Sequence, residues 1–110
     1  MERITIVGLG PLGTSIGLGL KKANLANAEI IGTSRERRNA SNANKVGAVD
    51  RTYAGLGAAV DGANLVILDT DMGETEDLLK SLGQRLDPGT VITDLGVMKS
   101  RVIALSLIHI

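Results

Sequence analysis

The sequence predicts an α/β fold built on a doubly wound parallel sheet, incomplete at its C-terminal end. Short β-branched runs alternate with helical patterns along the chain. A cluster of glycines stands between the first such run and the first helix. The length, 110 residues, suits one domain and is too short for two of ordinary size. Strands that alternate with helices pair in parallel, because each helix carries the chain back to where the next strand begins, and such crossovers are right-handed.

Residues 3–8 (RITIVG) form a β-branched run ending in glycine, as expected of a buried strand. A helix is predicted over 11–23. Pro11 suits its first turn, Leu12, Ile16 and Leu20 recur at helical spacing, and Lys21 and Lys22 put positive charge at the negative end of its dipole. Residues 28–33 (AEIIGT) read as a second strand, and the polar stretch 35–45 as a second helix capped near Gly47. A brief third strand is expected at 48–50 and a small-residue helix or turn at 54–61. Residues 63–69 (ANLVILD) are almost unbroken apolar sequence, the mark of a strand buried on both faces. Helix returns over 73–82 with Leu78, Leu79 and Leu82 on one side, and Asp87-Pro88-Gly89 signals a turn. Residues 91–94 read as another short buried strand, with a helix beginning near Val97.

Composition narrows the function. Hydrophobic residues make up 44% and charged residues 22%, as in globular proteins, and no apolar run is long enough to span a bilayer. The start MERITIVG lacks the basic segment and long apolar stretch of a signal peptide. With no cysteine, disulfides and thiolate metal sites are excluded, no metal is expected, and a cytoplasmic location is favoured. Twelve basic and 12 acidic side chains cancel, which argues against nucleic acid as the main partner. One tyrosine, without phenylalanine or tryptophan, supplies no platform for stacking bases.

Gly8-Leu9-Gly10-Pro11-Leu12-Gly13 matches G-x-G-x-x-G between a predicted strand and a predicted helix, the context of a Rossmann-type dinucleotide-binding turn. Gly8 permits the tight turn out of the strand. Gly10 has no side chain to hold a pyrophosphate off the backbone, and Gly13, helped by Gly17, lets the helix lie close to the sheet. The helix start then offers unpaired N–H groups and a positive dipole end to phosphates. The plainer alternative is a glycine turn that binds nothing.

The tip of the second strand bears on which dinucleotide is held. NAD-binding turns place Asp or Glu there for the adenosine ribose hydroxyls. This chain has Gly32-Thr33-Ser34-Arg35-Glu36-Arg37-Arg38, with Ser34 about where the acid belongs. A hydroxyl with guanidinium groups can hold a 2′-phosphate that an acid would repel, so Ser34, Arg35 and Arg38 favour NADP, with NAD possible. The plainer alternative is a solvated basic helix start, with Glu36 offsetting one charge.

The stretches ITIVGLGPLGTSIGLGLKKA, KVGAVDRTY, ANLVILDT and PGTVITDLGVMKS together resemble the N-terminal domain of the prephenate/arogenate dehydrogenase family, over nearly the whole chain to about residue 104. The glycine loop is shared with many dehydrogenases; GAVD after the second helix together with TD-x-G-x-x-K is more specific. The resemblance implies oxidative decarboxylation of prephenate or arogenate in tyrosine biosynthesis, with hydride passing to NAD or NADP. It places Gly8, Gly10, Gly13 and the N–H groups beside Pro11 in the pyrophosphate loop, and Thr70 beside the nicotinamide half. Asp94, Gly96 and Lys99 match the acid, small residue and lysine after the next strand, Lys99 being the one catalytic candidate in this chain.

Three departures accompany the resemblance. Asp69 and Asp71 stand where the family has a small residue and a proline, and two carboxylates there would repel phosphates unless turned to ribose hydroxyls or solvent. Val97 replaces a serine and cannot donate a hydrogen bond. The family's catalytic histidine comes from a later strand outside this sequence. His109, the single histidine, is read as a frayed terminal side chain, since a general base must be held in fixed geometry.

The ending Leu105-Ser106-Leu107-Ile108-His109-Ile110 does not match the family's polar helix. It is what CTG TCT CTT ATA CAC ATC encodes, a transposase-end adaptor. The expectation is therefore a partial NAD(P)-binding domain over 1–104 with a non-native tail over 105–110. The parent protein would continue with the rest of the sheet and a helical substrate and dimerisation domain, making it a homodimer. Two other functions share the glycine loop. One is an NADP-dependent β-hydroxyacid dehydrogenase or a pyrroline-carboxylate or ketopantoate reductase; the other is a dinucleotide-binding module without chemistry.

Overall fold

The computed structural model describes residues 2–23, 28–70, 72–83, 86 and 89–95. Its elements run β1 (Glu2–Val7), α1 (Pro11–Lys22), β2 (Ala28–Thr33), α2 (Arg37–Lys45), β3 (Arg51–Thr52), α3 (Leu56–Val60), β4 (Leu65–Leu68), α4 (Met72–Leu82) and β5 (Val91–Asp94). The five strands form one sheet in the order β3-β2-β1-β4-β5, and every adjacent pair is parallel. That is the Rossmann order. The chain leaves β1 toward β2 on one side and returns to β4 on the other, so the strand order reverses between β1 and β4.

Alternation along the strands sorts the core into two layers. Ile4 and Ile6 of β1, Ile30 of β2 and Ile67 of β4 form one cluster, against which Leu12, Ile16 and Leu20 of α1 and Ala40 of α2 pack. Val7 of β1 with Val66 and Leu68 of β4 form the other, with Val60 of α3 and Leu78 and Leu82 of α4. Thr5 is buried on β1, and its hydroxyl donates to the Ala59 carbonyl at 2.6 Å, so its burial leaves no polar group unmet. The helix α1 approaches the segment between α2 and β3 through glycine: a side chain at Gly17 would lie 2.5 Å from the Ala48 carbonyl oxygen. Among the described residues no helix is long and apolar enough to cross a membrane.

Several expectations shift. The third strand lies at Arg51–Thr52, not 48–50, because Ala48 and Val49 are buried in the core beneath α1 and pairing with β2 begins only at Ile31↔Arg51. The second helix starts at Arg37 rather than Arg35; it ends at Lys45, and Gly47 follows at φ +79 in the left-handed conformation expected after a helix. Leu79 is exposed while Leu78 and Leu82 are buried, since a helix 100° per residue cannot turn adjacent leucines equally inward. The last strand is not buried: Val91 is 57% exposed, because β5 is the outermost strand among the described residues. The helix expected from Val97, the turn at Asp87-Pro88 and the tail over 105–110 lie outside the described residues.

Candidate nucleotide-binding site

Strand order reverses between β1 and β4, the point at which a Rossmann sheet receives its ligand, and the glycine turn stands there at the carboxyl end of β1. Gly8 leaves β1 at φ +84, with its N–H donating to the Thr33 carbonyl at 2.7 Å. A side chain there would run into the carbonyl oxygen of Asp69. Gly10 is the N-cap of α1 and brings no side chain to cap it. Pro11, next in line, has no N–H. The regular ladder begins with Thr14, whose N–H donates to the Gly10 carbonyl at 2.9 Å. Between them stand the N–H groups of Leu12 and Gly13. Among the described residues Leu12 N–H meets no acceptor, whereas Gly13 N–H donates to Asp69 Oδ2 at 2.8 Å.

Asp69 is thus turned neither to solvent nor outward to a ribose. It is 7% exposed just past the end of β4, its own N–H donating to the Val7 carbonyl at 2.8 Å, and its carboxylate caps the start of α1. A carboxylate on a helix N-terminus gains both a charge-assisted hydrogen bond and the dipole. It also tightens the demand for glycine: a Cβ at Gly13 would lie 2.7 Å from Asp69 Oδ2, and one at Gly10 3.1 Å away. Sequence reasoning placed Asp69 near the phosphates and missed this partner. The available signal was a helix start with no capping side chain of its own.

The remaining expected residues divide. Leu9 is 3% exposed in the core, its side chain packed against Gly32, so only its backbone faces the turn. Thr70 follows the end of β4 and lies beside Gly8; its hydroxyl is buried and shares a 2.6 Å hydrogen bond with Thr75, which the sequence did not single out. Asp71, Gly96, Val97, Lys99 and His109 lie outside the described residues. Asp94 ends β5 opposite Leu68.

At the tip of β2, Ser34, Arg35, Arg37 and Arg38 line an open cleft of about 980 Å³, together with Thr52, Tyr53 and Ala54. Ser34 Oγ accepts from the Glu36 N–H at 3.1 Å, which turns the chain into α2. Arg35 reaches across to α4, its Nε 3.5 Å from Glu74 Oε1, yet its side chain stays 75% exposed. Arg37 and Arg38 are exposed and make no ion pair among the described residues. Basic charge therefore faces open space at the place expected.

These residues fit a dinucleotide. Bare backbone, an open Leu12 N–H and the positive end of α1 suit a diphosphate, and the arginine cleft suits a further phosphate. Asp69 sets a charge of opposing sign beside the turn, as Glu74 does beside Arg35. Among the described residues no group of three or more His, Cys, Asp or Glu side chains is placed to hold a metal ion.

The family model for the prephenate dehydrogenase nucleotide-binding domain matches residues 16–106. The chain belongs to this family. The prephenate dehydrogenase of Lactococcus lactis subsp. cremoris (strain MG1363) is 37% identical over 107 residues, which cover 96% of this chain and 29% of that protein. Prephenate dehydrogenase from A. aeolicus, solved in complex with hydroxyphenyl propionate and NAD+, superposes with a TM-score of 0.79 at 24% identity, covering 87% of this chain and 34% of that one. Synechocystis arogenate dehydrogenase gives a TM-score of 0.73 at 27% identity, covering 84% of this chain and 32% of that one. This nucleotide-binding domain therefore spans less than a third of the length of the L. lactis relative.

Proposed function

We propose that this chain is the NAD(P)-binding portion of an enzyme that oxidatively decarboxylates prephenate or arogenate, and that NADP is its preferred dinucleotide. The observation that carries the first part is the glycine turn at the reversal of strand order, with Leu12 N–H open at the start of α1. The turn Gly8, Leu9, Gly10, Pro11, Leu12 and Gly13 would border the diphosphate, with Leu12 N–H as its open donor, and Thr70 would border the nicotinamide half. When bound, the nicotinamide ring accepts a hydride. Family membership favours this reading over the β-hydroxyacid and ketopantoate reductase types and over a module without chemistry.

The lean toward NADP rests on the cleft at β2. Ser34 adds no charge, Arg38 has no carboxylate partner among the described residues, and the Arg35–Glu74 pair is exposed enough for a phosphate to take over the guanidinium. Calorimetric titration with NADP+ and with NAD+ tests the dinucleotide binding and the preference. At least fivefold tighter NADP+ binding is expected. Equal or tighter NAD+ binding overturns the preference, and no heat with either nucleotide overturns the dinucleotide reading.

A further inference from the structure

We infer that Asp69 sets how tightly this domain holds a dinucleotide, by keeping a fixed negative charge inside the turn that would receive the diphosphate. The inference rests on the dinucleotide reading above. Three observations converge. Asp69 is 7% exposed, so its carboxylate cannot swing freely into water. Its Oδ2 accepts from Gly13 N–H at 2.8 Å, using one of the donors that a helix N-terminus offers to anions. The same oxygen lies 3.1 Å from the position a side chain would take at Gly10, so the charge borders the bare backbone on both sides of Pro11.

A helix start has one positive end, and here a side chain of the chain itself already faces it. A diphosphate approaching Leu12 N–H meets part of that attraction already neutralised and a like charge close by. Charges in a partly buried crevice are screened far less than charges on an open surface, so the repulsion is felt at ordinary salt. A hydrogen-bond acceptor at position 69 serves α1; a charge there works against the ligand. The two roles separate in Asp69→Asn, which keeps an acceptor for Gly13 N–H and removes the charge. Asp69→Ala removes both.

The test is calorimetric titration of the chain and both variants with NADP+, NAD+ and 2′-AMP, with circular dichroism to follow the fold. D69N is expected to bind both dinucleotides at least tenfold tighter than the parent chain and to bind 2′-AMP, which has no diphosphate, equally well. D69A should show the same gain in affinity with a lower melting temperature. Should D69A fail to fold, D69N alone carries the comparison. Unchanged or weaker dinucleotide binding by D69N, or an equal gain for 2′-AMP, overturns the inference and leaves the dinucleotide reading standing. If folded parent and variants alike bind neither dinucleotide, the reading itself falls, and the role of Asp69 with it.

Discussion

At Gly8 and Gly10 the missing side chain matters for different reasons. Gly8 combines a left-handed φ of +84 with a carbonyl oxygen of Asp69 directly where a Cβ would go, and that oxygen belongs to backbone that cannot step aside. Gly8→Ala is expected to destabilise the domain by about 2–4 kcal/mol in urea unfolding, from the left-handed strain and the overpacking together. At Gly10 the nearest atom is the end of the Asp69 side chain, 3.1 Å away, which needs to give by only a few tenths of an ångström. Gly10→Ala should therefore change stability by less than about 1 kcal/mol while weakening NADP+ at least tenfold by calorimetry, since the added methyl stands over the phosphate-facing backbone. Arg35→Ala is the corresponding test at the other end of the ligand. Its pair with Glu74 is exposed, so stability should move by no more than about 0.5 kcal/mol, while NADP+ affinity falls about tenfold and NAD+ affinity stays.

Among the elements, the segment between α2 and β3 shows how consecutive residues take different structural roles. Within GAVD, Gly47 ends the helix, Ala48 and Val49 sink into the core, and Asp50 ties this segment to β2 and α1. Its Oδ2 accepts from Ile30 N–H of β2 at 2.7 Å, its Oδ1 pairs with Lys21 at the end of α1, and its own N–H donates to the Ile30 carbonyl at 2.8 Å. Burial pushes the Asp50 carboxyl up, but the Ile30 N–H, the Lys21 ammonium and Arg51 together pull it further down, leaving it below its ordinary value. A carboxyl lowered in the folded state stabilises the fold above its unfolded pKa of about 3.9, and that contribution is lost as pH falls through the lower folded value. Asp50→Ala should therefore destabilise by about 1–2 kcal/mol at pH 7, through the Ile30 N–H left without its acceptor. In urea melts run from pH 7 down to pH 3 the gap to the parent chain should hold to about pH 5 and shrink below about pH 4.

Element order was legible in the sequence because the signals for it are local: glycine after β1, proline at the start of α1, apolar runs of strand length. What was not legible depends on distant neighbours. Ala48-Val49 looks like strand in isolation, yet it belongs to the core beneath α1, and no local pattern reveals which partner an apolar pair will find. The same holds in the site. The glycine turn and the basic tip of β2 could be placed from spacing alone, but the Asp69–Gly13 contact joins residues 56 apart, and only the β1–β4 pairing brings them together.

For the molecule as a whole, stability is concentrated in the three inner strands. Leu68 of β4 is fully buried whereas Val91 of β5 is 57% exposed. Leu68→Ala should cost about 2–5 kcal/mol by urea unfolding, and Val91→Thr should stay within about 0.5 kcal/mol of the parent chain.

The position of β1 at the centre of the sheet also bears on synthesis. Of the five strands it is the first to leave the ribosome, and β2 can cover one flank soon afterwards. Its other flank waits for β4, since the Arg3 N–H finds its Asn64 acceptor 61 residues further along. At a translation rate of about 5–20 residues per second that wait lasts roughly 3–12 s. During it a nascent chain carries an unpaired apolar ribbon, open to chaperones and to other nascent chains alike.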